Sequence, residues 1–145
     1  MTQETRGAGS VVFMGILVGG LLWLWAGNSL AQEEEVAAAG KNVYNQNCAV
    51  CHGGNLISRD NDASTLSGPD FELNWHGKTV GQRFEQIRAS MPLSAPGSLS
   101  DQEYLDILAY VFQYNGYPAG EQELKPDPET LKQIVIEPAP DRKEK

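Results

Sequence analysis

The clearest periodic pattern in the chain lies between residues 100 and 116. Apolar side chains recur there at i, i+3, i+4 and i+7, the spacing of one helix face: Tyr104, Ile107, Leu108 and Val111. Ser100 and Glu103 have the spacing of a capping box, and Gly116 suits a helix end. The pattern therefore predicts an amphipathic helix that buries this face.

A second helix is predicted over residues 79–90. Its apolar stripe consists of Val80, Phe84 and Ile87, and Thr79 with Gln82 forms another capping box. We expect this helix to end before the Met-Pro pair at residues 91–92, because proline disfavours helical geometry in the residue before it.

A third helix is predicted over residues 33–48, because acidic residues 33–35 suit the positive end of a helix dipole. Residues 53–78 lack sustained periodicity and are rich in glycine, serine, asparagine and aspartate. A loop of this length in a compact domain is expected to wrap around something. No strand pairs are evident, so the predicted fold class is all-α.

The end of the chain predicts a short helix with Asp127 as N-cap and Pro128 at its first position. The last thirty residues as a whole are predicted to be peripheral. The predicted organisation is a leader at residues 1–31, one domain at residues 32–116 and a C-terminal extension at residues 117–145.

The leader contains an apolar run of sixteen residues, 11–26, without a charged or polar side chain. A bilayer span needs about 20 residues, and Ser29 and Ala31 place small side chains before a cleavage site at Gln32. These features predict an export signal. Because the charge before the run is weak, an uncleaved membrane anchor stays open, and a buried core helix is the third alternative. In the first two cases the domain lies outside the cytoplasm.

Charge excludes one class of partner. Residues 32–145 carry 18 of the 19 acidic and 10 of the 11 basic side chains, a net charge of −8. Nucleic-acid binding needs clustered lysine and arginine, so no nucleic-acid partner is expected. An acidic protein can still meet other proteins by electrostatic steering. A domain of about 80 residues buries little apolar surface, so a bound group is expected to complete its core.

Both cysteines and one of the two histidines lie in a single pentapeptide, CAVCH, at residues 48–52. A thioredoxin-like dithiol follows a strand, whereas a helix is predicted here. A zinc site would need His76 as its fourth ligand. A disulfide across two residues would close a loop too short to add much stability.

The histidine directly after the second cysteine favours a fourth kind of site, since C-x-x-C-H is the attachment sequence of c-type haem. Cys48 and Cys51 would add across the two vinyl groups of the porphyrin, and His52 would ligate the iron as a neutral imidazole. Attachment follows export, which agrees with the predicted leader. The sequence therefore predicts one covalently bound haem c with its iron.

Met91 is the predicted ligand across the haem, because it is the only methionine after the leader. It follows a predicted helix, in the loop SMPLSAPGS. The alternatives are His76, which would give bis-histidine ligation, and an open or water-bound position.

Residues 36–116 resemble a class I, monohaem cytochrome c. The resemblance rests on the C-x-x-C-H sequence, on Met91 with its proline, and on Gly40 and Tyr44, eight and four residues before Cys48. It implies a small fold of three main helices wrapped around one covalently bound haem. In that fold the first helix crosses the last at the glycine, against residues 107–110, and a residue without a side chain allows the close approach.

The same resemblance implies three further haem contacts. In LSGPDF, the Pro69 carbonyl would accept a hydrogen bond from Nδ1 of the proximal histidine and fix its tautomer. Trp75 would donate its indole N–H to a haem propionate. Arg88, one turn before the methionine, would pair with a propionate.

Residues 77–120 also resemble cytochrome subunits that accompany quinoprotein (pyrroloquinoline quinone) alcohol and sugar dehydrogenases. The resemblance implies a periplasmic one-electron carrier, itself not an enzyme, that takes electrons from a dehydrogenase to a terminal oxidase or another cytochrome. One alternative is a cytochrome subunit anchored to the periplasmic face of the inner membrane by residues 1–31. Another is a peroxidase-like haem protein in which Met91 does not ligate.

Overall fold

The computed structural model describes residues 26–59, 62–118 and 123–139, and in these ranges the fold is all-α. The helices are α1 Ala26–Asn47, α2 Ala49–His52, α3 Gly68–Trp75, α4 Val80–Ser90, α5 Asp101–Tyr114 and α6 Pro128–Leu131. Three of them, α1, α4 and α5, are the main helices that the sequence predicts. The β-structure of the described residues is an isolated bridge between Thr79 and Val135.

The helices α1 and α5 form the main packed pair and cross at Gly40. A Cβ atom there would lie 1.9 Å from the carbonyl oxygen of Asp106, so this approach requires glycine. Beside the crossing, the rings of Tyr44 and Tyr110 pack with their centroids 5.4 Å apart. The predicted crossing is confirmed, although α1 begins at Ala26, upstream of the start predicted from the sequence.

The predicted caps are present. Thr79 with Gln82 and Ser100 with Glu103 form complete capping boxes at α4 and α5. Asp127 caps α6 by accepting a hydrogen bond from a backbone N–H two residues later. The predicted stripe of α5 is buried. In α4 the first two positions of the stripe are buried and the third is half-buried.

A helix that the sequence pattern did not predict, α3, lies within residues 53–78. Pro69 stands in its first turn, where a missing N–H costs no helical hydrogen bond. Phe71 and Trp75, one turn apart, are its buried residues and stack with centroids 4.7 Å apart. Phe112 of α5 meets both rings edge-on. Because α3 has eight residues, it is too short to show the periodicity that identifies longer helices.

Residues 123–139 of the C-terminal extension pack onto the domain, which corrects the prediction that the last thirty residues are peripheral. Leu131 and Ile136 are buried in the common core. The Val80 N–H donates to the Ile134 carbonyl at 2.8 Å, and the Ile136 N–H donates to the Lys78 carbonyl at 2.8 Å. The extension therefore lies along the start of α4.

The predicted leader lies largely outside the described residues, which begin at Ala26. The predicted cleavage site before Gln32 falls within α1 and stays a prediction. In the described part of the chain, no helix combines the length and the apolar character needed to cross a membrane.

Candidate functional site

Cys48, Cys51 and His52 lie on one helical turn at the end of α1. The Cys48 N–H donates to the Tyr44 carbonyl at 2.8 Å, and the His52 N–H donates to the Cys48 carbonyl at 3.0 Å. Residues three apart on such a turn are neighbours on its surface. Both thiols are free and partly exposed, so they are accessible to a large bound group.

The imidazole of His52 is oriented by a backbone carbonyl. Its Nδ1 lies 2.7 Å from the carbonyl oxygen of Ser64. Because a carbonyl only accepts, Nδ1 carries the proton in this contact and Nε2 keeps a lone pair for a metal. The sequence-based prediction gave this contact to the Pro69 carbonyl. In the structure the Ser64 carbonyl makes it, because the loop reaches the imidazole earlier, and Pro69 instead stands in the first turn of α3.

The turn after the histidine is fixed by Tyr44 and Gly53. The fully buried Tyr44 donates its hydroxyl to the Gly53 carbonyl at 2.8 Å. Gly53 has φ of +74°, and a Cβ atom there would lie 2.1 Å from the Ile57 carbonyl oxygen. Both facts require glycine directly after the imidazole. The His52 side chain thus stands between two anchored backbone segments.

The chemistry of these groups opposes three of the four sites weighed from the sequence. Burial raises the pKa of the Cys48 thiol to about 11, and the neighbouring Cys51 adds to the shift. A redox dithiol needs the opposite, a lowered pKa, because the thiolate is the nucleophile. Among the described residues, no three His, Cys, Asp or Glu side chains are grouped to hold a metal ion. No disulfide joins the two thiols.

Met91 follows α4 and is held by its backbone. Its N–H donates to the Ile87 carbonyl at 2.8 Å. Its carbonyl accepts the hydroxyl of Tyr104 at 2.6 Å. Tyr104 belongs to α5 and is buried, so α5 fixes the point where the methionine loop begins. Met91 itself is half-buried, and its role as ligand stays a prediction.

Trp75 is buried at 6 % exposure on the inner face of α3. Phe71 stacks on it, and the Arg83 guanidinium carbon lies 4.8 Å from the centroid of the indole. The predicted contact of Trp75 with a propionate stays a prediction.

The other predicted side chains have partners within the protein. Arg88 is exposed, and its Nε donates to the Asp101 carboxylate at 2.7 Å, which joins the end of α4 to the start of α5. His76 contacts the Glu72 carboxylate and the Tyr117 hydroxyl. The predicted propionate contact of Arg88 therefore competes with an ion pair inside the chain.

Two buried polar residues escaped the sequence-based prediction. The side chain of Asn115 accepts from the Gly68 N–H at 3.0 Å and donates to the Leu66 carbonyl at 2.9 Å, which ties the loop before α3 to α5. The sequence did not indicate this role, because an asparagine before the glycine at the end of a helix is also typical of a simple helix stop. Arg83 had a signal, because it stands three residues after Val80 on the apolar stripe of α4.

Comparison with known proteins gives the site its context. Residues 35–111, more than half of the chain, match the family described as cytochrome c oxidase, cbb3-type, subunit III. The chain belongs to this cytochrome c family. A cytochrome c6 of Synechocystis sp. is 36 % identical to this cytochrome over 108 residues, which are 70 % of this chain and 87 % of that protein.

A thiosulfate dehydrogenase of Psychrobacter arcticus is 35 % identical over 78 residues, which are 49 % of this chain. The cytochrome spans 24 % of the length of that protein. No solved structure matches the chain. These comparisons show a haem electron-transfer cytochrome.

The cofactor of this cytochrome is covalently bound haem c, and the residues of the site fit it. Cys48 and Cys51 are two free thiols on one turn, followed by an imidazole whose Nε2 keeps a lone pair that could bind a metal. Arg83 in addition has a buried Nε without a hydrogen-bond partner among the described residues, a polar atom of the kind that a bound anionic group satisfies.

Proposed function

We propose that this cytochrome is a one-electron carrier in which His52 and Met91 are the axial ligands of the haem. The hydrogen bond from Tyr104 to the Met91 carbonyl carries the proposal, because it anchors the only methionine of residues 32–145 beside the core. When bound, the haem supplies a one-electron couple at its iron. A thioether opposite an imidazole gives a higher potential than two imidazoles do.

Hydrogen bonds made by neighbouring residues hold the two proposed ligands in position. Ser64 keeps the proton on Nδ1 of His52, and Tyr44 fixes the carbonyl that follows the imidazole. Tyr104 fixes the methionine loop in the same way. If His52 and Met91 both bound the iron, no coordination position would be left for a small substrate, so we infer a carrier and not an enzyme.

We infer that the donor is a dehydrogenase and the acceptor a terminal oxidase or another cytochrome. Similarity to a cytochrome c6 over most of both chains supports a carrier between proteins. Val50 lies within the attachment motif and is 89 % exposed, and Leu93, two residues after Met91, is 80 % exposed. Both suit a small transient contact. A quinoprotein as donor rests on the sequence resemblance of residues 77–120 alone.

We place this carrier in the periplasm, because haem c is attached after export and residues 1–31 have the pattern of an export signal. The second candidate is a subunit docked in a respiratory complex by an uncleaved N-terminal helix. The description of the matching family, an oxidase subunit, is the observation that favours it.

Ligation is tested by spectroscopy of the oxidised, haem-loaded protein. We expect a near-infrared sulfur-to-iron charge-transfer band that disappears in Met91→Leu and persists in the control His76→Gln. If the wild type lacks the band and binds cyanide at once, the axial position is open and the peroxidase-like alternative replaces the carrier. Loss of the bis-imidazole signature in His76→Gln would instead assign the ligand to His76.

Processing is tested by the mass of the protein recovered from the periplasm. We expect a mature chain that starts at Gln32 and carries one haem. An intact N-terminus in the membrane fraction would favour the docked subunit over the free carrier.

A further inference from the structure

Arg83 is a buried cation at the end of the first turn of α4. It is 7 % exposed, and it stands on the inward stripe of the helix between positions occupied by apolar side chains. Its Nη1 donates to the Gln86 side chain at 2.6 Å, and its Nη2 donates to the Asn74 carbonyl. The guanidinium lies over the face of Trp75.

The charge of Arg83 has no carboxylate partner in the described residues. Its hydrogen-bond acceptors are an amide and a carbonyl, both neutral, and its buried Nε has none. By contrast, Arg88 and Lys132 of the surface have carboxylate partners, Asp101 and Glu129. A buried cation without a countercharge is costly, because desolvation is not offset by a Coulombic partner. Burial accordingly lowers the pKa of Arg83.

We propose that Arg83, and not Arg88, binds a haem propionate, with Trp75 as the surface on which the guanidinium is held. A guanidinium has five N–H donors in a planar fork that matches a carboxylate, and two of them go to Gln86 and Asn74. The inference rests on the haem that the family shows and not on Met91 as ligand.

The alternative is a purely structural arginine that stacks on Trp75. A cation over an indole is a favourable contact by itself. It leaves the buried Nε unsatisfied, however, and it supplies no negative charge. The two accounts differ in what happens at the haem when the charge is removed.

The test measures the reduction potential and the propionate bending band in the resonance Raman spectrum of the haem-loaded full chain. In Arg83→Gln a propionate loses its countercharge, which favours the oxidised state. We expect the equilibrium constant for reduction to fall roughly tenfold, about 59 mV for one electron, and the propionate band to shift. Arg83→Lys keeps the charge and loses the fork, so the band is expected to shift with less than about a threefold change in the equilibrium constant.

The matched control is Arg88→Gln, on the same helix, which is expected to change neither quantity. If Arg83→Gln lowers stability but leaves the potential and the propionate band unchanged, the proposal is wrong and Arg83 acts through Trp75 alone. A larger shift in Arg88→Gln than in Arg83→Gln overturns it in favour of Arg88. If Arg83→Gln does not accumulate with haem, an unshifted band in Arg83→Lys overturns it.

The near-infrared band of Met91 is expected in all of these variants. Failure of this inference is therefore distinguishable from failure of methionine ligation.

Discussion

Two segments that carry the proposed ligands are built in different ways: the histidine side, residues 44–53, which contains His52, and the methionine side, α4 with the loop that begins at Met91. On the histidine side, the end of α1, the turn α2 and Gly53 follow one another in the chain, and Tyr44 bonds across that short stretch. On the methionine side, three separate segments meet. The loop after α4 is held by Tyr104 of α5, and α4 itself is covered by the C-terminal extension.

This difference has a consequence for ligation. In the proposed ligation, two covalent thioether bonds and local hydrogen bonds would keep the His52 imidazole near the haem, even where distant packing loosens. The methionine depends on tertiary contacts, which open locally at a lower free energy than the whole fold. We therefore expect Met91 to be released first under stress, and the changes below test that order.

The largest loss of stability is expected at the crossing of α1 and α5, because these two helices support both the histidine side and the methionine side. In Gly40→Ala the new Cβ would lie 1.9 Å from the Asp106 carbonyl oxygen, so the helices must separate. Overpacking of this severity costs about 3 kcal/mol or more, a large part of the stability of a small domain. Urea unfolding measures it.

The control is Gly54→Ala, since a Cβ at Gly54 meets nothing within 4 Å. A Gly40→Ala protein as stable as this control would show that the helices do not cross as closely as the structure gives.

The second prediction tests whether the methionine side opens before the rest of the fold. Leu131 is 1 % exposed in the common core, and its backbone lies beside Gly81 of α4, so Leu131→Ala loosens the attachment of the extension to α4. We expect a loss of about 2–3 kcal/mol from transfer and cavity terms. The Met91 charge-transfer band should disappear at a lower urea concentration than the helical signal.

Ile134→Ala is the control, because Ile134 is 38 % exposed and belongs to the same extension. If the band and the helical signal of Leu131→Ala are lost at the same urea concentration, the methionine side does not open separately from the rest of the fold.

The sequence predicted the parts of both sides that local chemistry determines. The capping boxes of α4 and α5 and the buried stripe of α5 follow from residue types at fixed spacings, and the structure has them. The approach of two helices at Gly40 followed from a family resemblance and is confirmed by the close contact.

What the sequence did not predict depends on contacts between distant segments. The backbone pairing of residues 134–136 with residues 78–80 uses groups that every residue carries, so no pattern of side chains indicates it. The choice of the Ser64 carbonyl over that of Pro69 depends on the path of a loop without periodicity. The sequence places Arg83 as a charged residue within an apolar stripe, and the structure shows that it is buried.

The third effect compares two matched tyrosines. Tyr44 and Tyr104 each donate a hydroxyl to a backbone carbonyl beside a predicted ligand, at Gly53 and at Met91. Each change to phenylalanine should cost about 1–2 kcal/mol, because a carbonyl loses its donor. Only Tyr104→Phe is expected to weaken the methionine band and to speed cyanide binding, since the thioether bonds hold the other side. Equal effects of the two variants on cyanide binding would contradict the difference between the sides.

The smallest effect concerns Tyr117, which joins the extension to α3 through its hydroxyl contacts with the Glu137 carbonyl and with His76. Burial, with the charge of Glu72 second, raises the pKa of Tyr117 to about 12. The folded protein therefore keeps this proton where the unfolded chain, with an ordinary tyrosine pKa of about 10, releases it. The stabilisation is complete below pH of about 10 and is lost as the pH rises to about 12.

The measurement is urea unfolding of the reduced protein between these pH values. The slope of the unfolding free energy against pH reports how many more protons the folded state binds, and Tyr117→Phe should lower this number by one. Part of the slope should remain, because burial also raises the pKa values of Tyr44 and Tyr110. An unchanged slope in Tyr117→Phe would mean that the extension does not enclose this hydroxyl in solution, and would leave the methionine side without its outer cover.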